Sequence, residues 1–387
     1  MDTSQTLDLL AERASCPLDQ AMSSPPSLYT DPAILDMEIS SIFEQDWHCP
    51  GLAADIPEPG DYVTFSIGDQ PVFSMRQKDG SIRSFSNVCR HRMMQLLEGK
   101  GNTKVVVCPY HAWTYSQDGS LRGAPHMDRS QSFDRKAFCL PEIRTELWNG
   151  WIYITLNNDA PSVAQQLAPM NDHVARYRMD RYVPCETQDH VWQTNWKLLT
   201  ENFMEGYHLP VAHRGTLGGW IGLDDTRFPA EVSPHFTWQT FTKDETATYG
   251  RAPDTNDYLT DEWRYTSIMP TVFPAHMYVL APDHVWYLSL RPKGVGEVMV
   301  RFGVALAPER LEAFPNRQAA LKDLISFFDH VNEEDRFVVE GIFKGAHGKL
   351  AQAGPLSWLE REIHDFQKYL AGRLCGPRDA SRRVAAE

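Results

Sequence analysis

Four residues stand out for the chemistry that their types and spacing allow: Cys89 and His91 on one short segment, and Cys108 and His111 on another, with sixteen residues between the pairs. Thiolate and imidazole donors suit zinc or an iron-sulfur centre. Each pair alone is weak, because 7 Cys and 14 His produce stray C-x-H and C-x2-H pairs often. Two such pairs on two tight loops can close around one centre. A [2Fe-2S] cluster in which the sulfurs hold one iron and the imidazoles the other takes one Cys and one His from each loop. A structural zinc site is a second reading, although C-x-H is an awkward knuckle beside the usual C-x2-4-C and H-x3-5-H spacing. Buried cysteines next to surface histidines are a third.

A second group lies at Glu205, His208 and His213. Five residues along an ideal helix is about 500°, which points His213 away from His208. Pro210 resolves the conflict, because it predicts a helix ending just after His208 and lets His213 fold back from a turn. Glu205 is one turn before His208, on the same face. Two neutral imidazoles and one carboxylate form the facial triad of non-haem Fe(II) sites, so a further carboxylate is required. On a helix predicted over 317–343, Phe328, Val331, Val338 and Ile342 form an apolar stripe with Asp335 at its centre, while Glu333 and Glu334 project elsewhere. An ionised Asp facing a core is unfavourable unless it is paired or bound to metal. A partnered buried Asp is the alternative.

The elements that must position these groups are marked by the texture of the chain. Residues 1–28 are polar, with Pro25-Pro26 and no sustained period, and read as a mobile arm. Asp31-Pro32 is a helix start, with Asp31 as N-cap and Pro32 in the first turn, for an N-terminal helix within 29–46. Residues 47–157 show short alternating stretches broken by Gly, Pro and Asp, the pattern of a small all-β domain. Residues 158–182 have a helical pattern that links this domain to a second one. Across that second domain, residues 158–387 as a whole, strands such as Thr187 to Gln193, His235 to Thr242, Trp286 to Arg291 and Glu297 to Ala305 combine with helices near 197–207, 317–343 and 356–374. The fold class is therefore α+β: an all-β domain, then helices packed on an antiparallel sheet.

Composition bounds the function. The 387 residues are 42% hydrophobic and 23% charged, which suits globular domains. A net charge of -14 has the wrong sign for gripping a nucleic-acid backbone. No apolar run approaches a membrane span, and the acidic start lacks the features of a signal peptide, so a cytoplasmic protein is expected. Seven cysteines over so long a chain suit reduced thiols and metal ligands. Neither a dinucleotide fingerprint nor a ferredoxin-type cysteine run is present, so no flavin or NAD(P)H is expected on this chain.

Cys89-Arg90-His91-Arg92 with Cys108-Pro109-Tyr110-His111-Ala112-Trp113 resembles the Rieske motif of the ring-hydroxylating oxygenase α subunits. Ala112 stands where that family commonly has Gly. Glu334-Asp335 followed by Glu340 is similar to the segment carrying the family's aspartate ligand. The resemblance runs from about Asp31 to Leu374. It implies a Rieske [2Fe-2S] domain on Cys89, His91, Cys108 and His111, and a helix-grip catalytic domain holding mononuclear Fe(II) on His208, His213 and Asp335. It gives Trp113 and Tyr115 supporting roles at the cluster, and Asn202 one beside the iron. It implies a homotrimer in which Glu205 links one subunit's cluster histidine to its neighbour's iron, with electrons from a separate NAD(P)H-dependent reductase and O2 as co-substrate. Glu205 and Ala112 are similar to the branch acting on glycine betaine, carnitine and choline, which hydroxylates an N-methyl group or an adjacent carbon. Two readings are open for Phe236, Trp238, Tyr249, Trp263, Tyr265, Tyr278, Trp286 and Tyr287: an aromatic cage for such a cation, or, for any one of them, ordinary core. Hydroxylation of an aromatic ring or acid is the alternative activity, and a non-catalytic electron-transfer or metal-binding protein the alternative class.

Overall fold

The computed structural model describes residues 2–376 apart from 220–221, 231–232, 244–245 and 247–248. The last eleven positions of the expected 158–387 catalytic domain, 377–387, lie outside the described residues, as does Met1. The chain forms two units, Phe43–Pro184 and a second built from Met1–Ile42 together with Cys185–Glu387.

Phe43–Pro184 is the β-rich unit. Seven strands pair in the order His48–Leu52, Trp151–Thr155, Glu142–Trp148, Ile82–Ser86, Gln70–Arg76, Asp61–Ile67 and Lys100–Asn102. A three-stranded sheet, Val106–Val107, Thr114–Tyr115 and Leu121–Gly123, carries the second loop. Alternation of apolar residues on these strands builds a core of Phe73, Met75, Phe85, Val106, Trp113, Tyr115 and Leu121, and Cys89 and Cys108 are part of it. The unit extends past the expected limit of 157. Residues 158–182 form only short turns of helix, such as Val163–Gln166 and Asn171–Ala175, and cluster with this unit rather than opening the next.

In the other unit a seven-stranded sheet runs in the order Val183–Trp192, Glu297–Leu306, His284–Gly294, His276–Leu280, Thr266–Val272, Phe236–Thr242 and Thr226–Arg227. The long helix Arg317–Ala346 lies against it through Phe328, whose ring meets those of Trp286 at 5.6 Å and Phe302 at 6.1 Å. Its buried residues are Phe328, Val331 and Val339. The expected stripe therefore turns: Val339 replaces Val338, and Ile342 is 46% exposed. Asp335 keeps its place on the inward face, because 328, 331, 335 and 339 recur at helical spacing.

Residues 1–28 are not a mobile arm. Asp2 caps the helix Thr3–Ser15 in a reciprocal box with Gln5, and Thr6 and Leu10 are buried as the helix packs on Arg361–Leu374. The expected single helix of 29–46 is broken into Pro26–Thr30, Pro32–Glu38 and one wide turn over Ile39–Phe43, with Asp31 capping Ala33 as its sequence predicts. Buried side chains tie this segment to the rest of its unit. Glu38 accepts from Trp196 Nε1 at 2.7 Å and pairs with Lys197 at 2.6 Å, and Tyr29 donates to the Glu201 carboxylate. Burial pushes Glu201 up to about 7.

Candidate metal centres

The two cysteine loops have the same backbone. The N–H of Cys89 donates to Met94 O and the N–H of Met93 to Cys89 O; the N–H of Cys108 donates to Trp113 O and the N–H of Ala112 to Cys108 O. The distances match, 2.8 and 3.1 Å in each loop. Such a tight reversal needs one residue in the left-handed region, and Met93 (φ 58°) and Ala112 (φ 57°) supply it. Ala112 therefore departs from glycine at a position where the missing Cβ matters, and the substitution is not minor.

The loops bury both cysteines and leave both histidines exposed, with the His91 and His111 rings 4.6 Å apart. Trp113 is buried and stacks on His91 at 4.9 Å. Tyr115 OH lies 3.4 Å from Cys89 Sγ and accepts from the N–H of Arg90 at 3.0 Å. Burial, opposed by the Tyr115 contact and assisted by Cys108, holds the Cys89 thiol above its ordinary value. Desolvation first, then His91 and Arg92, holds His111 below its own, as a neutral ligand requires. Both cysteines are free. Two neighbouring thiols inside an apolar core, with two imidazoles at its rim, fit a cluster with mixed ligation.

In the other unit the helix Trp196–Phe203 ends before Glu205, earlier than its sequence suggests. Pro210 does not stop that helix; it stands in the first turn of a new one, Leu209–Ala212, with His208 at its N-cap and His213 at its C-cap. This short helix brings the two imidazoles together. His208 Nε2 and His213 Nε2 are 3.2 Å apart, and Asp335 Oδ1 lies 3.5 Å from the first and 3.0 Å from the second. Ligand atoms about 2.1 Å from a metal and at right angles to one another are about 3.0 Å apart. Asp335 Oδ1 is buried with no hydrogen-bond partner among the described residues, and one ligand atom from each of the three residues lies within 4.8 Å of the others. The donor set fits a facial triad.

The outer nitrogens are also held. His208 Nδ1 donates to Glu205 Oε1 at 2.5 Å, and Glu205 Oε2 accepts from the N–H groups of Tyr207 and His208. Glu205 thus fixes both the turn and the ring. His213 Nδ1 donates to Glu334 Oε2 at 2.8 Å, and Thr216 Oγ1 donates to the same oxygen. The expectation that Glu334 projects elsewhere is corrected: from the flank of the long helix it reaches His213 while Asp335 faces the site. Burial opposes a charged His208, but Asp335 and Glu205 override it and push it up to about 10. Burial likewise opposes an ionised Asp335, and the two imidazoles override it. The site favours positive charge, as a cation host must.

His208, His213, Asp335, Glu205 and Asn202 line one cavity with Phe203, Phe241, Lys243, Tyr249, Ser267, Met269, His284 and Trp286. Of the eight aromatic residues weighed between cage and core, Tyr249 and Trp286 line it; Phe236, Trp238, Trp263, Tyr265, Tyr278 and Tyr287 do not. Strand alternation is the reason, since Trp286 and Tyr287 face opposite sides and Tyr287 lies over Gly303 across the ladder. Phe203 and Phe241 line it as well, and Phe203 meets Trp286 edge to face at 5.2 Å.

The profile of the ring hydroxylating alpha subunit (catalytic domain) matches residues 175–376, and that of the Rieske [2Fe-2S] domain matches residues 46–134. The chain belongs to the ring hydroxylating alpha subunit family. As an α subunit of this kind it carries a Rieske cluster domain and a mononuclear non-haem iron domain. It is 37% identical over 225 residues to the glycine betaine monooxygenase oxygenase subunit of Chromohalobacter salexigens, covering 58% of this chain and 49% of that one. The chain thus spans about half the length of this relative. It is 26% identical to the chloroplastic choline monooxygenase of Arabidopsis thaliana over 92% of this chain and 84% of that one. A solved quaternary ammonium Rieske monooxygenase shares its fold with a TM-score of 0.81 at 24% identity, over 94% of this chain and 98% of the other. No helix among the described residues is long and apolar enough to cross a membrane.

Proposed function

We propose that this α subunit is the terminal oxygenase of a quaternary-ammonium monooxygenase system, hydroxylating a betaine-type compound with O2 and with electrons from a separate NAD(P)H-dependent reductase. The observation that carries the reading is the convergence of His208 Nε2, His213 Nε2 and Asp335 Oδ1 beside a cavity walled by Phe203, Phe241 and Trp286. The relative acting on glycine betaine supports the substrate class. When bound, the cluster supplies single electrons and the mononuclear iron a site for dioxygen activation.

The residues of this chain supply position and electrostatics. Cys89, Cys108, His91 and His111 hold the cluster; the Tyr115 hydroxyl sits against the Cys89 sulfur and Trp113 covers the His91 face. Glu205 and Glu334 hold the Nδ1 protons of His208 and His213, so that both Nε2 lone pairs face inward. Phe203 and Trp286 offer ring faces and edges to methyl groups and exclude water. The assembly we propose is a homotrimer in which Glu205 also accepts a hydrogen bond from a neighbouring subunit's cluster histidine; the exposure of His91 and His111 supports it. We place the protein in the cytoplasm, a reducing compartment in which cysteines stay available as cluster ligands.

The test is metal content together with turnover. Red-brown protein with acid-labile sulfide, one iron beyond those of the cluster, and betaine-dependent consumption of O2 and NADH with a reductase is the expected result. Colourless protein holding one tight zinc overturns the cluster assignment, and turnover of aromatic acids alone overturns the substrate class.

A further inference from the structure

The cavity contains a cation that metal binding does not use. Strand Phe236–Thr242 pairs with Thr266–Val272 so that Gln239 faces Met269 and Phe241 faces Ser267, and Lys243 continues the same row. Lys243 and Ser267 both line the cavity that holds the three converging ligand atoms. The Lys243 ammonium donates to Tyr249 O at 3.0 Å and lies 5.2 Å from the centre of the Tyr249 ring. Among the described residues no carboxylate pairs with it. Asp283, whose negative charge acts on Lys243, is held by His284 Nδ1 at 2.6 Å, and His284 Nε2 in turn meets Tyr249 OH at 2.8 Å. Ser267 is 4% exposed, and its hydroxyl has no hydrogen-bond partner among the described residues. An ammonium group just past the end of one strand and a buried hydroxyl on the next, lining one cavity, are both costly until an anion meets them.

We infer that Lys243 and Ser267 form a subsite for the carboxylate of the substrate, so that the cavity selects a zwitterion over a bare cation. Resting on the quaternary-ammonium reading, this divides that class: the aromatic pair Phe203 and Trp286 meets the methylated nitrogen, Lys243 takes the carboxylate, and an amino alcohol such as choline places a positive charge in the same cavity as the ammonium with nothing to offset it. The pairing also restores a charge that burial works against, since desolvation holds Lys243 below the ordinary lysine range. A carboxylate accepting from an ammonium and a hydroxyl gains charge-assisted bonds that an alcohol does not form.

The experiment measures binding and turnover of glycine betaine, choline, tetramethylammonium and benzoate by wild type, Lys243→Gln, Lys243→Arg and Ser267→Ala, with calorimetry on the iron-loaded protein as the readout besides activity. Wild type is expected to bind glycine betaine at least tenfold more tightly than choline. Lys243→Gln is expected to weaken glycine betaine tenfold or more, through KM rather than kcat, while choline and tetramethylammonium bind as well as before or better. Lys243→Arg is expected to recover part of the loss, which guards against a variant that merely misfolds, and Ser267→Ala to cause a smaller loss of the same sign. Equal losses for glycine betaine and tetramethylammonium, or a wild type preferring choline, overturn the subsite while leaving the quaternary-ammonium reading in place. Benzoate binding in place of glycine betaine, and lost in Lys243→Gln, keeps the subsite and overturns that reading instead.

Discussion

In the loops Cys89–Met94 and Cys108–Trp113 the backbone does the positioning, each loop closed by two main-chain hydrogen bonds around one left-handed residue. At His208, His213 and Asp335 the positioning is done by side chains: Glu205 for one ring, Glu334 for the other, and a helix face more than a hundred residues away for the carboxylate. A ligand set held by local backbone is compact in sequence and tolerates change in its surroundings. One held by side chains from separate segments depends on the packing of a whole unit and on neighbours that never touch the metal.

Removing ligands gives the largest effects. His208→Ala, His213→Ala or Asp335→Ala is expected to lower turnover below detection and to release the mononuclear iron, with the visible spectrum of the cluster unchanged. Cys108→Ser is expected to bleach the protein while the catalytic unit still takes up ferrous iron, measured by metal analysis. Loss of both centres from either change would break the separation of the two strategies.

Removing the holders of the ligands comes next. Glu334→Gln is expected to weaken iron binding by about 10- to 100-fold, as second-sphere carboxylates commonly do. Glu205→Gln is expected to leave both centres assembled and to slow reoxidation of a pre-reduced cluster in single-turnover experiments with substrate and O2. Unchanged iron affinity in Glu334→Gln would show that the short helix alone aligns His213.

A smaller effect is set by pH and by burial rather than by metal. In the β-rich unit His48 is buried, its Nε2–H donates to Phe43 O at 2.6 Å, and burial pushes it down to about 4, whereas His276 in the catalytic sheet is pushed down to about 3. Both sit below the ordinary value of about 6.5, so the unfolded chain binds each proton first. Stability is therefore full above pH 6.5 and is lost as pH falls towards 4 for His48 and 3 for His276. For His48 the full loss is about 3 kcal/mol. Melting curves from pH 7 to 4 should show the decline, and His48→Gln should flatten that of the β-rich unit.

The smallest effect returns to the loops. Ala112→Gly and Met93→Gly each remove a Cβ from a left-handed position and are expected to stabilise the cluster loops by about 1 kcal/mol, seen as a higher temperature for loss of cluster absorbance. A decrease would mean that the side chains, not the backbone, hold the loops.

Legibility in the sequence divides along the same line. The cluster ligands are readable because their types, order and spacing are local. His208, His213 and Asp335 are readable because the metal chemistry demands those residue types and helical phase carries Asp335 inward. Glu334 is not, since its role depends on where His213 arrives in space. Lys243 is hidden because a lone lysine at the end of a strand usually faces solvent, although the row Gln239, Phe241, Lys243 marks its side of the sheet. The N-terminal segment misleads because its helix buries little beyond Thr6 and Leu10. Its one visible signal is Asp2 with Gln5 three residues on. The compact unit reaches Pro184 where the sequence reading ends its domain at 157, because a helical period in 158–182 says nothing about which core it joins.

The partners of Glu38 and Tyr29 bear on how the protein is made. Glu38 waits for Trp196, 158 residues downstream, and Tyr29 for Glu201, 172 residues downstream. On the ribosome the intervening Phe43–Pro184 is completed first. Until Trp196 and Lys197 emerge, the carboxylate of Glu38 lacks these partners, and Leu28 and Ile34, buried in the finished fold, lie in the same waiting segment. The catalytic unit is interrupted by Phe43–Pro184, so its residues before Phe43 wait through the synthesis of that whole segment as apolar stretches of the kind that chaperones bind.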